Sequence, residues 1–320
     1  MPMGPGLAIA ETTSFINESN VLRHRRLGNA RAGAPATCGE LVQGYLDGQD
    51  FLINSPVDLY SQVSVTLTRE ADVFTETPGI FTKSERAVRL TLDQLGLRSY
   101  GAILRIPSEI PRGKGLASST SEITAAIMAT AEAAGHHLST SVISRIAVSI
   151  EPSDGIYFPG VVMYDHLGGG LLEVFGEPPP LAFCIVDTGG TVDTVSFDRE
   201  RFRANAREHE SQIRTAVEKV TRGFRLKNAR LIAEGATLSA QSNHMAFPKP
   251  AFPELLKAVR SVGALGVNCA HSGTVLGVMY DPTHINLAHL LRTISNIIGQ
   301  KNILGCFNLV SGGVKLKGAP

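Results

Sequence analysis

"PRGKGLASSTSEITAA", residues 111–126, passes from a proline through alternating glycines into three consecutive hydroxyl residues, and only then becomes good helical sequence. The first turn of any helix leaves backbone N–H groups without intrahelical partners, and the aligned peptide dipoles make that end partly positive. Gly113 and Gly115 permit a tight approach of the backbone to a ligand, and Ala117 adds little bulk. Ser118, Ser119 and Thr120 offer hydroxyls for hydrogen bonding or metal coordination. Beyond them "SEITAAIMATAEAAG" places Ile123, Ile127 and Ala131 on one face, with Gly135 as a stop. By itself the segment reads in two ways, as a phosphate cradle at the head of a buried helix or as a loop closed by a serine N-cap. Two common phosphate motifs are excluded. No G-x-x-x-x-G-K-[ST] occurs, and no G-x-G-x-x-G follows a strand here, so the stretch is neither a Walker-type loop nor a Rossmann fingerprint.

The rest of the chain favours a small-molecule site. Its 320 residues are 43% hydrophobic and 18% charged, and 30 Lys plus Arg against 29 Asp plus Glu leave a net charge of +1. Such a balance provides no electrostatic footprint for nucleic acid and no polybasic membrane patch. Cys38, Cys184, Cys269 and Cys306 lie too far apart for zinc-ribbon or thioredoxin-like pairs and read as free thiols in a reducing cytosol. No apolar stretch approaches the length that spans a bilayer, so a soluble, cytoplasmic protein is expected. It is expected as a monomer or homodimer.

Residues 1–30 lack a sustained period and read as a loose N-terminal extension; its arginines are either solvated or in reach of an anionic ligand. Strands are expected at "ELVQGYL", "FLINSPV", "QVSVTLT" and "GAILRI", with a helix over 83–97 between the last two, then helices over 116–134 and 139–150. Further strands follow at "GVVMYD", "GLLEVFG" and "LAFCIVD", then helices over 199–221, 226–242 and from Phe252. The end supplies strands "GALGVNCA" and "TVLGVMY", a helix over 283–298 and a last strand around "CFNLVSG". Strands and helices come in separate groups, the order of an α+β fold with mostly antiparallel sheets.

Three segments together resemble a known superfamily. "PRGKGLASST" resembles the second motif of the GHMP kinases, approximately P-x-x-x-G-L-G/A-S-S; "APATCGELVQG" (34–44) is similar to their first motif, in its homoserine-kinase form; "NCAHSGTVLG" (268–277) sits where they have a third, glycine-rich loop. The resemblance runs over about residues 31–315. It implies the GHMP-kinase fold, two intimately joined α/β subdomains with helices packed on mostly antiparallel sheets. The N-terminal, ATP-binding domain is expected over 31–185 and the C-terminal domain over 186–320. "CGELVQG", "SPVDLYS", "SIEPSD", "FPKP" and "SGGVKL" are similar to those of the L-threonine kinases of cobalamin biosynthesis in particular. That likeness implies transfer of phosphate from ATP, with Mg²⁺, to the hydroxyl of L-threonine. The alternatives are another acceptor alcohol such as homoserine, or a non-catalytic sensor of this fold.

Phosphoryl transfer needs positioning and charge neutralisation more than covalent chemistry, so the site can be sparse. The resemblance assigns the second motif, Pro111, Gly113, Gly115, Leu116, Ala117, Ser118, Ser119 and Thr120, to the nucleotide, with the amides of 115–118 on phosphate and the Ser119 hydroxyl on Mg²⁺. Glu151, in "EPSD", is the best candidate for the second metal ligand, a part that a glutamate in a similar segment plays in homoserine kinases. Asp154 resembles the aspartate of "PSGxD" that contacts the reacting hydroxyl, displaced by two places, and either takes its proton or orients it. "PAT" replaces the first-motif lysine of mevalonate-type members, so a lysine-assisted base is not expected. Glu40 falls where homoserine kinases bind substrate and suits an ammonium group; Asp58 is either a second such carboxylate or a solvated strand-end residue. His271, Ser272 and Gly273 are expected against the phosphate loop, Gly273 allowing close approach and His271 either at the nucleotide or a satisfied structural histidine.

Overall fold

The longest ordered unit of the protein follows from a two-residue turn. Asp47 and Gly48 both take positive φ, 52° and 86°, the geometry whose twist matches two antiparallel strands. They join β1 (Asn29–Leu46) to β2 (Gln49–Thr68). The computed structural model describes residues 27–190 and 197–317. Of the expected extension over 1–30, residues 1–26 lie outside the described residues, and Asn29 and Ala30 already belong to β1. β1 therefore begins well before the Glu40 at which the first strand is expected. Its N-terminal half, "NARAGAPATCG", lacks the β-branched and aromatic residues that signal a strand, and Pro35 argues against a central one. Its alanines serve another purpose: Ala30, Ala32 and Ala34 alternate inward into one core with Ala125, Ala126 and Ala129 of α2 (Ser118–Ala133), letting helix and sheet approach closely.

The elements continue with β3 (Val73–Thr75), α1 (Thr82–Gln94), β4 (Gly101–Arg105), α2, α3 (Thr140–Ile150), β5 (Val161–Tyr164), β6 (Leu171–Gly176) and β7 (Ala182–Asp187). After α4 (Arg199–Glu208), α5 (Glu210–Arg225), α6 (Ala229–Ala246) and α7 (Phe252–Ser261) come β8 (Gly266–Cys269), β9 (Val275–Tyr280), α8 (Leu287–Ile298), β10 (Ile303–Asn308) and β11 (Lys315–Lys317). The strands form one eleven-stranded sheet in the order β10-β7-β9-β8-β1-β2-β4-β3, with β11 added to β1, β5 to β2 and β6 to β5. Every pairing is antiparallel except that of β3 with β4. Position 185, the expected domain boundary, lies inside β7, which pairs with β9 and β10.

The helix expected over 199–221 is two helices, interrupted where His209 takes φ −106° and ψ 23°. α8 starts at Leu287 rather than 283 because the Asn286 side chain accepts the His289 amide at 3.0 Å, fixing the helix start. α1, α2 and α3 share one core with β1, β2 and β4; α5 and α6 pack on β1, and α7 and α8 share a third core with β7, β8 and β9.

One irregularity in the sheet positions the site. The pairing of β1 with β2 shifts register between Thr37 and Glu40 and again before Val42, a bulge that re-aims the intervening side chains. Gly39 sits in it at φ 57°, where a Cβ would fall 2.6 Å from the backbone of Cys269 and Ala270. The carbonyls freed by the bulge are not orphaned. The fully buried Asn268 side chain donates to Cys38 O at 2.6 Å and Glu40 O at 3.2 Å, and the Ser55 hydroxyl donates to Cys38 O at 2.7 Å. Asn268→Ala is expected to lower the unfolding free energy by about 2–3 kcal/mol, because the buried acceptors lose a donor. Denaturant unfolding measures it, and a change under about 0.5 kcal/mol, the level of an ordinary surface substitution, contradicts this role for Asn268.

Candidate active site

The second and third loops are held together by contacts that only glycine allows. Gly115 has φ 86°, and a Cβ on it would lie 2.6 Å from Gly273 Cα; a Cβ on Gly273 would lie 2.2 Å from Lys114 O. Around this contact Lys114 O accepts the amides of Thr274 at 3.0 Å and Val275 at 3.3 Å. The Lys114 ammonium is committed to Asp187 at 2.7 Å and Gly190 O at 2.7 Å, so its charge stays on the loop's outer side. Thr37 N donates to Leu116 O and the Ser121 hydroxyl to Pro35 O, fastening the loop to β1 as well.

The loop ends in α2 without a serine cap. Ala117 holds the N-cap position in the left-handed conformation, φ 57° and ψ 29°, no side chain caps the helix, and its first turn carries no acidic residue. The amides that open α2 therefore meet a cavity of about 340 Å³ lined by 115–120. Uncapped amides at a positive dipole end are what an anionic phosphate requires. Arg112 braces the rim, pairing with buried Glu122 at 2.7 Å, lying 4.1 Å from the centre of the Phe81 ring and donating to Ile80 O.

Two carboxylates face this helix start from the segment after α3. Glu151 leaves α3 in an extended conformation, φ −160°. One of its oxygens accepts the Ser119 hydroxyl and the other the Lys83 ammonium. Asp154 accepts Asn54 Nδ2 at 2.9 Å and the Thr120 hydroxyl at 3.4 Å, while the Gly155 amide donates to Asn54 Oδ1 and fixes that side chain. Burial pushes the Asp154 carboxyl up to about 6, the hydrogen bond from Asn54 holding it down and the neighbouring charge of Glu151 raising it further.

Other polar groups line the same cavity. Glu40, presented by the β1 bulge, is buried; its Oε2 has no hydrogen-bond partner, and burial, with the charge of Asp154 adding to it, raises its carboxyl well above the usual range. His271 meets Gln43 Oε1 through Nδ1 at 2.9 Å and packs against Phe197 and Phe202, and burial holds its imidazole neutral. His166, pushed down to about 4 by burial, packs edge-on to His271, and Arg199 lines the same cavity.

The cavity thus gathers Gly113, Gly115, Leu116, Ala117, Ser118, Ser119, Thr120, Glu151, Asp154, Glu40, His271 and Ser272 from the sequence reading. Pro111 and Gly273 are not among its lining residues, though Gly273 packs on Gly115, which is. Asp58 does not reach it: its carboxylate accepts the Asn308 amide at 2.7 Å and the Asn308 side chain at 2.8 Å, tying β2 to β10. Sequence reasoning passed over Lys83, Asn54, His166 and Arg199. Asn54 left a signal, a polar residue inside the apolar run "FLINSPV"; Lys83 and Arg199 look like ordinary charged helix starts.

Comparison with known proteins adds to this geometry. The family described as GHMP kinases N terminal domain matches residues 82–158. The L-threonine kinase of Salmonella typhimurium is 32% identical over 294 residues, covering 90% of this chain and 96% of that protein. A homoserine kinase structure from Cytophaga hutchinsonii superposes with a TM-score of 0.68 at 17% identity, over 91% of this chain and 98% of that one. A structure of MDDEF in complex with MVAPP, AMPPCP and magnesium gives 0.62 at 16% identity, over 91% and 100%. An uncapped helix start facing two carboxylates, on this fold and with these relatives, goes with a small-molecule kinase. The chain belongs to the GHMP kinase family.

The crowding of carboxylates has a price in stability. A carboxyl raised in the folded state contributes stability that is complete below its unfolded value, near 4, and lost as pH rises through about 6. Asp154→Asn is therefore expected to be more stable than the parent protein at pH 8, by about 1–2 kcal/mol, with the difference vanishing near pH 4. Denaturant unfolding at both pH values checks it; an equal offset at both removes the assigned cause.

Proposed function

We propose that this protein transfers the γ-phosphoryl group of ATP to the hydroxyl of L-threonine, forming O-phospho-L-threonine, as a soluble cytoplasmic enzyme serving cobalamin synthesis. The observation that carries the reading is one cavity lined both by an uncapped helix start and by Glu40, a buried carboxylate with an unpartnered oxygen, and Arg199. The second pair complements an ammonium and a carboxylate, the charges of an amino acid. The similarity to an L-threonine kinase over 90% of the chain supports the particular acceptor.

The amides of 115–118 bind the phosphates, and Pro111, Gly113 and Gly273 shape the loop that presents them. His271 and Ser272 close the cavity beside Glu40. Ser119 and Glu151 present adjacent hard oxygens that fit a nucleotide-borne Mg²⁺. Among the described residues no group of three His, Cys, Asp or Glu could hold a metal ion. When bound, that cation neutralises charge on the transferring phosphoryl group. Asp154, held by Asn54 and Thr120, orients the threonine hydroxyl and takes its proton as the new O–P bond forms and the bond to ADP breaks.

Coupled ADP-release assays with threonine, serine and homoserine test the reading, threonine being expected to give the highest kcat/KM. Glu40→Ala is expected to raise the KM for threonine about tenfold or more with little effect on that for ATP. Asp154→Ala is expected to lower kcat by about a hundredfold or more. The rate should fall as pH drops below about 6, as Asp154 takes up its proton. Ligand binding without ADP release from any amino alcohol would instead favour a sensor.

A further inference from the structure

The Glu151 carboxylate already has a cation. Lys83 reaches it from the first turn of α1, taking one oxygen while the Ser119 hydroxyl takes the other. The two partners differ in freedom: the Glu151 side chain is 6% exposed and held at the end of α3, whereas that of Lys83 is 47% exposed on a helix start that lines the cavity. A long, half-exposed lysine can move away; a buried carboxylate cannot follow it without leaving its own site. With one partner on each oxygen, a divalent cation that comes to Glu151 arrives beside the Lys83 ammonium, the partner of like charge, and is repelled by it until that ammonium moves away.

Resting on the assignment of Glu151 to the metal, we propose that Lys83 is a resident counter-cation for this carboxylate, exchanged for the metal on nucleotide entry and then placed as a contact for the incoming phosphates. Two consequences follow from like-charge competition at one carboxylate. Free metal binds the empty site weakly, because it meets the like charge of Lys83 with nothing to receive the ammonium. The metal-nucleotide binds well, because it brings the phosphate oxygens that take the lysine over. The exchange keeps the buried carboxylate neutralised at every stage, which matters beside Asp154, whose own carboxyl is sensitive to the charge of Glu151. Lys83 is thus coupled to the metal through Glu151 and to the nucleotide through its phosphates.

Mn²⁺ binding followed by electron paramagnetic resonance separates these roles without turnover. For the nucleotide-free protein, Lys83→Ala and Lys83→Gln are expected to bind Mn²⁺ about tenfold more tightly than the parent, since a competing charge is gone. The same variants should show a KM for the metal-ATP complex raised about tenfold, with Lys83→Arg restoring most of it. Lysine acting only as a strut that orders Glu151 predicts weaker Mn²⁺ binding in both variants, and unchanged Mn²⁺ binding would equally overturn the exchange. Glu151→Gln provides the separate control. If it leaves Mn²⁺-nucleotide binding intact, the metal assignment fails and the inference with it; if it abolishes that binding while Lys83→Ala changes nothing, the exchange alone fails. Thermal melts of each variant confirm that it is folded.

Discussion

The contact of Gly115 with Gly273 governs the rest of the site. With no side chain on either residue, two loops distant in sequence press backbone against backbone, and the carbonyl of Lys114 receives two amides from the third motif. That clamp fixes where the loop ends and leaves Ala117 in a left-handed conformation that no side chain caps. Left-handed backbone at a non-glycine residue is unfavourable by itself, and it persists because Gly115, Leu116 and Ser121 are all tied elsewhere. The result is a row of uncapped amides held in place by the fold itself, an arrangement that spares a ligand at this helix start the cost of ordering the loop.

The same economy explains the acidic wall. Glu151, Asp154 and Glu40 line one cavity; the charge of Glu151 raises the Asp154 carboxyl, and that of Asp154 raises the Glu40 carboxyl. Such an arrangement lowers stability and suits a site that receives cations: a metal, and on this reading an ammonium group. Neutral donors offset part of the cost. Asn54 and Thr120 hold Asp154, Ser119 holds Glu151, and the amide of His271 serves Glu40. Around Asp154 and Glu40 these neutral donors leave the carboxyls available to ligands, whereas Glu151 carries the Lys83 ammonium as well.

Much of the fold was legible because it is written in local patterns. The hydroxyl-rich helix start and the apolar strands at "LAFCIVD" and "TVLGVMY" emerge with nearly their observed bounds. The first half of β1 was not legible. Its alanines and Pro35 carry no strand signal, and their size makes sense only once α2 is seen lying on them. The bulge that aims Glu40 is likewise invisible in sequence, because it is set by Asn268, more than two hundred residues away. The three loops were recognisable as a set, while Lys83 and Asn54 were not, since their meaning comes from a carboxylate on another segment. Asp58 lies outside the cavity for the complementary reason: an acidic residue at a strand end is equally suited to an inter-strand tie, and Asn308 makes it one.

Amide NMR titration with a non-hydrolysable ATP analogue and Mg²⁺ tests the central claim most directly. If the uncapped start of α2 is the phosphate site, the largest downfield shifts and the strongest slowing of exchange fall on the amides of 115–119, and inorganic triphosphate reproduces them without the base. Saturating nucleotide that leaves those amides unmoved while perturbing another face of the protein would contradict the account.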